Sequence, residues 1–242
     1  MRITIISIFP DLVRTFLGAG LVGRAVEAKT LETKVVDLRD HAHDRHRTVD
    51  DVPFGGGGGM VLKPEPLFEA VETHRQPGDA VILLSPQGEP LTHALATELA
   101  GSRGLLLLCG RYEGVDERVR LELVDREVSI GDYVLMGGEL PALVLLEAVA
   151  RHLPGVLGNE TSAARDSFAQ GLLDFPHYTR PQEFRGLRVP DVLVSGDHGA
   201  VAAWRRQEAL RATWAKRPDL LERAALDETD RAVLASLGRD SA

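Results

Sequence analysis

A single cysteine stands among 242 residues, so no disulfide can close within the chain, which suits a reducing compartment. That residue, Cys109, ends an apolar run and reads as a buried, inert thiol rather than a nucleophile. Long apolar runs are missing too: none approaches the ~18 residues that a membrane span requires. The N-terminal run from Ile3 to Phe9 is short and stops at Pro10-Asp11 without a small-residue cleavage site. It is therefore not a signal peptide, and a cytoplasmic location is expected. Positive charge is in deficit, with 28 Lys and Arg against 36 Asp and Glu and a net charge of −8. That argues mildly against a nucleic-acid partner, because phosphate contacts need Lys and Arg. No Gly-Lys pair exists for a P-loop. The five glycines Gly55 to Gly59 fail the dinucleotide fingerprint, because they follow no strand and Met60 holds the last position. An ATP or dinucleotide fold is thus disfavoured, and a loop whose backbone lies flat against a ligand or partner subunit fits better.

What remains is ordinary for a globular protein, 44% hydrophobic and 26% charged, with length for one large domain or two modest ones. The chain is organised around Gly104 to Pro141. Leu105 to Leu108 breaks into Cys109-Gly110-Arg111-Tyr112-Glu113-Gly114, and Glu127 to Ile130 breaks into Gly131-Asp132-Tyr133 with Gly137-Gly138 after it. Just upstream, Ala80 to Leu84 breaks into Ser85-Pro86-Gln87-Gly88. Short apolar runs bounded by turn residues read as buried strands of a parallel sheet. Ligands of such sheets bind where strands end in loops, and glycine lets the backbone approach them. Taken singly each loop is an ordinary turn. Three together point to one small-molecule pocket.

The rest of the chain alternates. Ile3 to Phe9 reads as a first central strand, Pro10 to about Arg24–Ala28 as a helix, and Lys34 to Leu38 as a second strand. Leu67 to Thr73 and Thr92 to Ala100 read as helices, giving an α/β architecture with a mainly parallel sheet. Glu139 to Leu153 forms a strong helix with Leu140, Leu143, Val144, Leu146, Val149 and Leu153 as its apolar face. Its Pro141 falls in the first turn, and Arg151 and His152 in the last, where cations favour the helix dipole. The stretch from Pro154 to Gln170 lacks periodicity and reads as a domain boundary. A smaller, mainly helical domain follows, its clearest helix running from about Asp197 to Lys216 with Pro218 ending it. There Val201, Trp204, Leu210 and Trp214 read as core, and Arg205, Arg206 and Lys216 share the opposite arc. From Arg180 to Arg217 eight cations oppose four acids, a local excess of +4 on an acidic chain. Such a segment fits a solvated helix face or a surface that meets a polyanion. The histidines His41, His43 and His46 match no zinc spacing.

Taken in order, the strings HRTVDDVPFGGGGGM (His46 to Met60), LLSPQG (Leu83 to Gly88), CGRYEGVDERV (Cys109 to Val119) and SIGDYVLMGGELP (Ser129 to Pro141) resemble the bacterial tRNA (guanine-37-N1)-methyltransferases. These belong to the SPOUT, or trefoil-knot, superfamily. The likeness continues through ARHLPGVLGNE (Ala150 to Glu160), DSFAQGLLDFPHYTRP (Asp166 to Pro181) and VPDVLVSGDH (Val189 to His198), covering nearly the whole chain. One departure is Gly58, where the family's glycine loop more usually has proline.

The resemblance implies a deep trefoil knot in an S-adenosylmethionine-binding domain over 1–157. It further implies a flexible linker over 158–170 and a tRNA-binding helical domain over 171–242. It implies cofactor contacts from Leu84, Ser85, Pro86, Gln87 and Gly88, and from Gly110, Tyr112, Glu113 and Gly114. Further contacts are implied from Ile130, Gly131, Asp132, Tyr133, Val134, Leu135, Gly137, Gly138 and Pro141. It implies a homodimer with each active site at the subunit interface, Asp166 as general base and Arg151 as the cation that stabilises charge on O6. The guanine N1 is a poor nucleophile until its proton leaves, so a base must lie within hydrogen-bond reach and a positive group must meet the charge pushed onto O6. A free aspartate is a weak base for that proton, so Asp166 needs a setting that closes with tRNA. The target base is expected to swing out of its stack. Phe175, His177, Tyr178, Arg180, Arg205 and Arg206 are candidates to hold the tRNA by stacking and phosphate contact. Magnesium can assist such chemistry, but no spaced acidic cluster demands a metal. Rival readings are a SPOUT enzyme acting on other RNA, a binding-only protein, and a metal hydrolase built on His41, His43 and His46.

Overall fold

The structure is a computed structural model that describes residues 1–158 and 166–239. It divides into two compact units, Met1–Glu160 and Thr161–Ala242, each of which is built as follows.

The first unit begins with strand β1 (Arg2–Ser7), helices α1 (Pro10–Leu17) and α2 (Gly20–Glu27), and strand β2 (Glu32–Asp37). A two-residue antiparallel pair, β3 (Asp50–Asp51) and β4 (Val61–Leu62), brackets the glycine loop. Then come α3 (Pro64–His74), β5 (Asp79–Pro90), α4 (His93–Ala100), β6 (Gly104–Cys109), α5 (Glu117–Leu123), β7 (Arg126–Ser129) and α6 (Glu139–Ala150). Five strands form one parallel sheet in the order β2-β1-β6-β5-β7. The alternation that sorts its two faces is plain in β6. Leu105 and Leu107 join Ile3, Ile5, Ile82, Leu84, Val13, Leu99 and Leu146 in one core, beneath α1, α2, α4 and α6. Leu106 and Leu108 join Ile6, Val36, Val81, Leu83, Leu67, Val71 and Val119 in the other, beneath α3 and α5. Both faces are covered, which is why these strands read as continuous apolar runs.

Two local expectations need correction, and one helix was not foreseen. The single helix after Pro10 is two, broken at Gly18-Ala19. Gly20 takes φ +60°, and Gly23 lies so close to Gly18 that a Cβ would stand 2.8 Å from the Gly18 carbonyl carbon. The helix over Glu117–Leu123 was not legible, being only seven residues long; its Asp116 cap accepts from Arg118 N at 2.9 Å. In α6 Leu143, Leu146 and Val149 are buried as expected, but Leu140 and Val144 are exposed, and Ala142 and Leu145 take inward places. The segment ELPALVLLEAVA is apolar almost all round, so periodicity could not choose a face.

Within the glycine loop, Gly55, Gly56, Gly57 and Gly59 adopt φ of +88°, +77°, +110° and +85°, a region costly to any residue with a Cβ. Gly58 does not, and a Cβ added there meets nothing within 4 Å. This is the position where the resembling family usually has proline, and a side chain there would meet no neighbour. Gly58→Pro is expected to raise stability by about 0.4–1 kcal/mol by restricting the unfolded chain. Thermal unfolding should show an upward shift of roughly 1–4 °C; a fall would mean that this loop needs the lost N–H or its freedom.

The second unit has a hairpin, β8 (Glu183–Phe184) with β9 (Leu187–Arg188), and helices α7 (His198–Lys216) and α8 (Glu228–Arg239). Arg185 and Gly186 take φ of +53° and +80°, the signature of a two-residue hairpin turn whose twist matches its strands. Asp197 caps α7 by accepting from Ala200 N at 3.0 Å. The small core is Leu172, Ala209 and Leu210 with Phe175, Leu221, Val233 and Leu234. Neither tryptophan is fully buried: Trp204 is half-buried and Trp214 exposed. Leu210 and Thr213, the latter accepting from Leu173 N at 2.9 Å, fill the centre instead. Among the described residues no helix is long and apolar enough to cross a membrane.

Candidate active site

Three segments, the bulge of β5 past Leu84 and the loops that follow β6 and β7, enclose a cavity of about 370 Å³ in the first unit. The parallel register sets this: Leu84 pairs with Cys109, the last residue of β6, and with Val128, and there β5 shifts register before pairing with β7 again at Glu89 and Pro90. Of the residues expected at a cofactor, Leu84, Ser85, Pro86 and Gln87 line the cavity from the first segment, and Gly110, Tyr112, Glu113 and Gly114 from the second. Ile130, Gly131, Tyr133, Val134, Leu135, Gly137, Gly138 and Pro141 line it from the third. Gly88 and Asp132 do not. Gly88 is occupied otherwise: a Cβ there would overlap the backbone of Glu127 and Val128, so glycine is needed for β5 to lie against β7 past its bulge at Leu84/Glu89.

The second segment carries strain. Tyr112 sits at φ +61°, unusual for a residue with a side chain. The third segment is stitched to it. Gly138 N donates to Gly110 O at 2.8 Å, Arg111 and Gly137 form an isolated antiparallel bridge, and the glycine loop adds Glu113 N to Met60 O at 3.0 Å. Gly59 lies directly against the Glu113 side chain. The glycine loop thus backs the pocket's second wall from within the same unit.

Two residues that sequence reasoning did not single out hold these loops. Glu139, at the start of α6, is almost wholly buried; it accepts from Ser7 Oγ at 2.7 Å and from Arg111 Nε at 3.1 Å. The Arg111 guanidinium also lies over the Phe9 ring, 4.3 Å from its centroid. In sequence Glu139 resembles any acid in the first turn of a helix, and Ser7 stands 132 positions away. The only local signal was a carboxylate opening an otherwise apolar helix. Burial pushes the neighbouring Cys109 thiol well above its ordinary range, and Glu139 adds to the rise while Arg111 opposes it. That keeps the thiol protonated and inert. Glu139→Gln keeps the shape but removes the charge facing Arg111, so a loss of about 1.5–3 kcal/mol is expected, the range for a hydrogen bond to a charged group. Chemical denaturation measures it; an unchanged midpoint would mean that Arg111 finds another partner.

Arg151 follows α6 as its C-terminal cap, exposed in the first unit. Asp166 opens the described part of the second unit, where turns over 166–172 are closed by Phe168 N to Leu172 O at 2.7 Å. It lines a hollow of about 300 Å³ with Gln170, Phe175, Arg205 and Arg206. Both Arg151 and Asp166 have partners. Much of the expected 158–170 linker, residues 159–165, lies outside the described residues. His177, Tyr178, Arg180 and Arg205 line a second, larger hollow of that unit. Arg206 is engaged elsewhere: it grips the buried Asp230 at 2.6 and 3.0 Å. That partner lowers the Asp230 pKa and raises that of Arg206, so the pair stays charged. His41, which is buried, and the exposed His43 form a chain with His74 that His46 does not join. His41 meets Glu69 and His74 at 3.2 Å each, His43 meets Glu69 at 2.6 Å, and Lys34 meets His74 at 3.0 Å. Among the described residues no group of three or more His, Cys, Asp or Glu is arranged to hold a metal ion.

A glycine-walled pocket at strand ends suits many small ligands, and likeness to known proteins narrows the choice. The family model described as tRNA (Guanine-1)-methyltransferase TrmD matches residues 1–223. The chain belongs to this family. Among curated relatives, the tRNA (guanine-N(1)-)-methyltransferase of Moorella thermoacetica is 55% identical over 99% of this chain and 97% of its own. Its namesake in Thermus thermophilus is 54% identical over 99% of this chain and the whole of its own. That of Brevibacillus brevis is 52% identical over 99% of both. The likeness to the tRNA (guanine-1)-methyltransferases therefore runs through both units, including the second, where Asp166 and the basic segment lie.

Proposed function

We propose that this protein transfers a methyl group from S-adenosylmethionine to N1 of guanosine 37, beside the anticodon of tRNA. The observation that carries the reading is the convergence of the three segments on one cavity in a member of the tRNA (guanine-1)-methyltransferase family. The residues fit the donor. The cavity volume lies within the range of about 300–1,000 Å³ typical of small-molecule sites. Its walls offer main-chain groups at Gly110, Gly114, Gly131, Gly137 and Gly138 for polar edges, with Leu84, Ile130, Val134, Leu135 and Pro141 for apolar surface. When bound, S-adenosylmethionine supplies an electrophilic methyl on a sulfonium. In this reading Gly88 and Asp132 act behind the wall rather than at the ligand.

The chain's own groups do the proton work. The Asp166 carboxylate takes the N1 proton, and the Arg151 guanidinium meets the negative charge that appears on O6, each step placing a group where charge develops. The 1–157 segment holds the donor in a trefoil knot, and the 171–242 segment holds tRNA. His177, Tyr178, Arg180 and Arg205 form its contact surface, and Arg206 supports that surface through Asp230. Two copies associate, with active sites at their interface. The exposed apolar side chains of Phe9, Leu12, Met136, Leu140 and Val144 are surface that such an association can cover.

The deciding experiment is methyl transfer from labelled S-adenosylmethionine to a tRNA transcript with guanosine at position 37, against the same transcript with adenosine. Label on guanosine alone, mapped to N1, is expected. Label on both transcripts would remove the assigned target, and none at all, with donor still bound, would leave a binding protein. Adding a chelator to the same assay tests magnesium as an auxiliary.

A further inference from the structure

The larger of the two hollows described in the second unit, about 500 Å³, has a lining unlike the rest of this acidic chain. Phe175, Tyr178 and Trp204 give rings, Arg180 and Arg205 give guanidinium groups, and among the described residues no carboxylate lines it. The rings form a graded set rather than a sealed core. Tyr178 and Trp204 stand 6.4 Å apart at 53°, too tilted to stack on each other, and Tyr178 is half exposed beside the hollow it lines. Arg205 lies 4.9 Å over the Phe175 ring, which fixes its guanidinium at the rim. His177 is held by Asp174 at 2.8 Å and packs on Phe175 at 4.7 Å. Thr179 and Gln182 add an uncharged hydroxyl and amide. Flat faces, two cations and neutral donors and acceptors, with carboxylates kept out, match one nucleotide: a ring to stack, a base edge to pair and a phosphate to neutralise.

We infer that this hollow receives one unstacked base of the substrate RNA, laid on Tyr178, with its phosphate held by Arg180 and Arg205. The inference rests on the reading of tRNA as substrate and adds a second base-holding site. Asp166 lines the separate, smaller hollow, sharing only Phe175 and Arg205 with this one. The base bound here is therefore not the one that is methylated, and the enzyme grips the single-stranded loop at two nucleotides.

A mutant cycle between protein and RNA tests this with the full chain. Transcripts carrying a single abasic nucleotide at each unpaired position of the anticodon arm are titrated against wild type, Tyr178→Ala and Tyr178→Phe. Tyr178→Ala should weaken binding of the intact transcript roughly 5- to 150-fold, the loss expected for one base–aromatic stack, while Tyr178→Phe keeps the ring and stays near wild type. One abasic position away from the target guanosine should cost wild type the same factor and cost Tyr178→Ala nothing further. Losses that multiply at every position would overturn the inference, as would wild-type affinity in Tyr178→Ala. If Tyr178→Ala fails to fold, Arg180→Gln and Arg205→Gln decide: each should flatten the salt dependence of binding by about 0.7 in log–log slope, one single-strand phosphate contact, and unchanged slopes overturn it. Wild type that methylates the intact transcript while the cycle is additive loses only this second site; wild type that does not methylate it loses the reading beneath.

Discussion

Replacing Asp166 by alanine is expected to lower kcat for methyl transfer by about 10²–10⁴-fold, the usual contribution of a positioned general base. Affinity for S-adenosylmethionine should stay at its wild-type value, because every residue lining the glycine-walled cavity belongs to the first unit and Asp166 to the second. Single-turnover transfer of labelled methyl gives the rate, and calorimetric titration gives the affinity. Arg151→Ala should cost about 10²–10³-fold, as loss of one donor to a developing oxyanion does. The two losses should not multiply in the double variant, since proton removal at N1 and charge on O6 are one event. An alanine variant turning over at the wild-type rate would strip Asp166 of the role.

The second large effect belongs to Gly138. Its φ of −81° and ψ of −4° suit any residue, so conformation gives no reason for glycine there. Packing does: a Cβ would stand 2.7 Å from Cys109 Cα and 2.8 Å from Gly110 N, backbone atoms that cannot swing aside as a side chain can. Gly138→Ala must therefore push α6 away from the end of β6 and open the Gly138 N to Gly110 O bond, two walls of one cavity separating. A stability loss of about 1–3 kcal/mol is expected from overpacking, with donor affinity falling by about tenfold or more as the walls part. Gly110→Ala is the control, for its Cβ would meet Leu84 O at an ordinary 3.7 Å. Equal losses in melting temperature for the two variants would refute the steric account.

The sheet was legible because both its faces are covered. Runs such as Leu105 to Leu108 carry no polar interruption, and glycine ends each of them where the chain turns out to the site. What periodicity could not decide was direction in segments apolar on every side. Leu140 and Val144 satisfy the helical pattern as well as Leu143 and Leu146 do, yet only the latter face the sheet. Trp204 and Trp214 misled in the opposite sense, since a large ring near a small core lies at its margin while Leu210 and Thr213 fill the middle. Glu139 was invisible for a different reason: its partners Ser7 and Arg111 are brought together only by the fold. Gly88, read as part of a ligand loop, is set by the neighbouring strand instead. The resemblance supplied roles for Arg151 and Asp166 that composition and spacing did not.

The register of the sheet has a consequence for synthesis. β1 finds its second neighbour only when Gly104 to Cys109 have been made, since Arg2 pairs with Gly104 and Ile6 with Leu108. At translation rates of about 5–20 residues per second, one edge of the strand Arg2–Ser7 stays open for roughly 5–20 s after it is made. An apolar edge unpaired for so long is a template for pairing with another nascent chain. Yield of soluble protein should therefore respond to chaperone supply and growth temperature more than the stability of the finished fold would suggest.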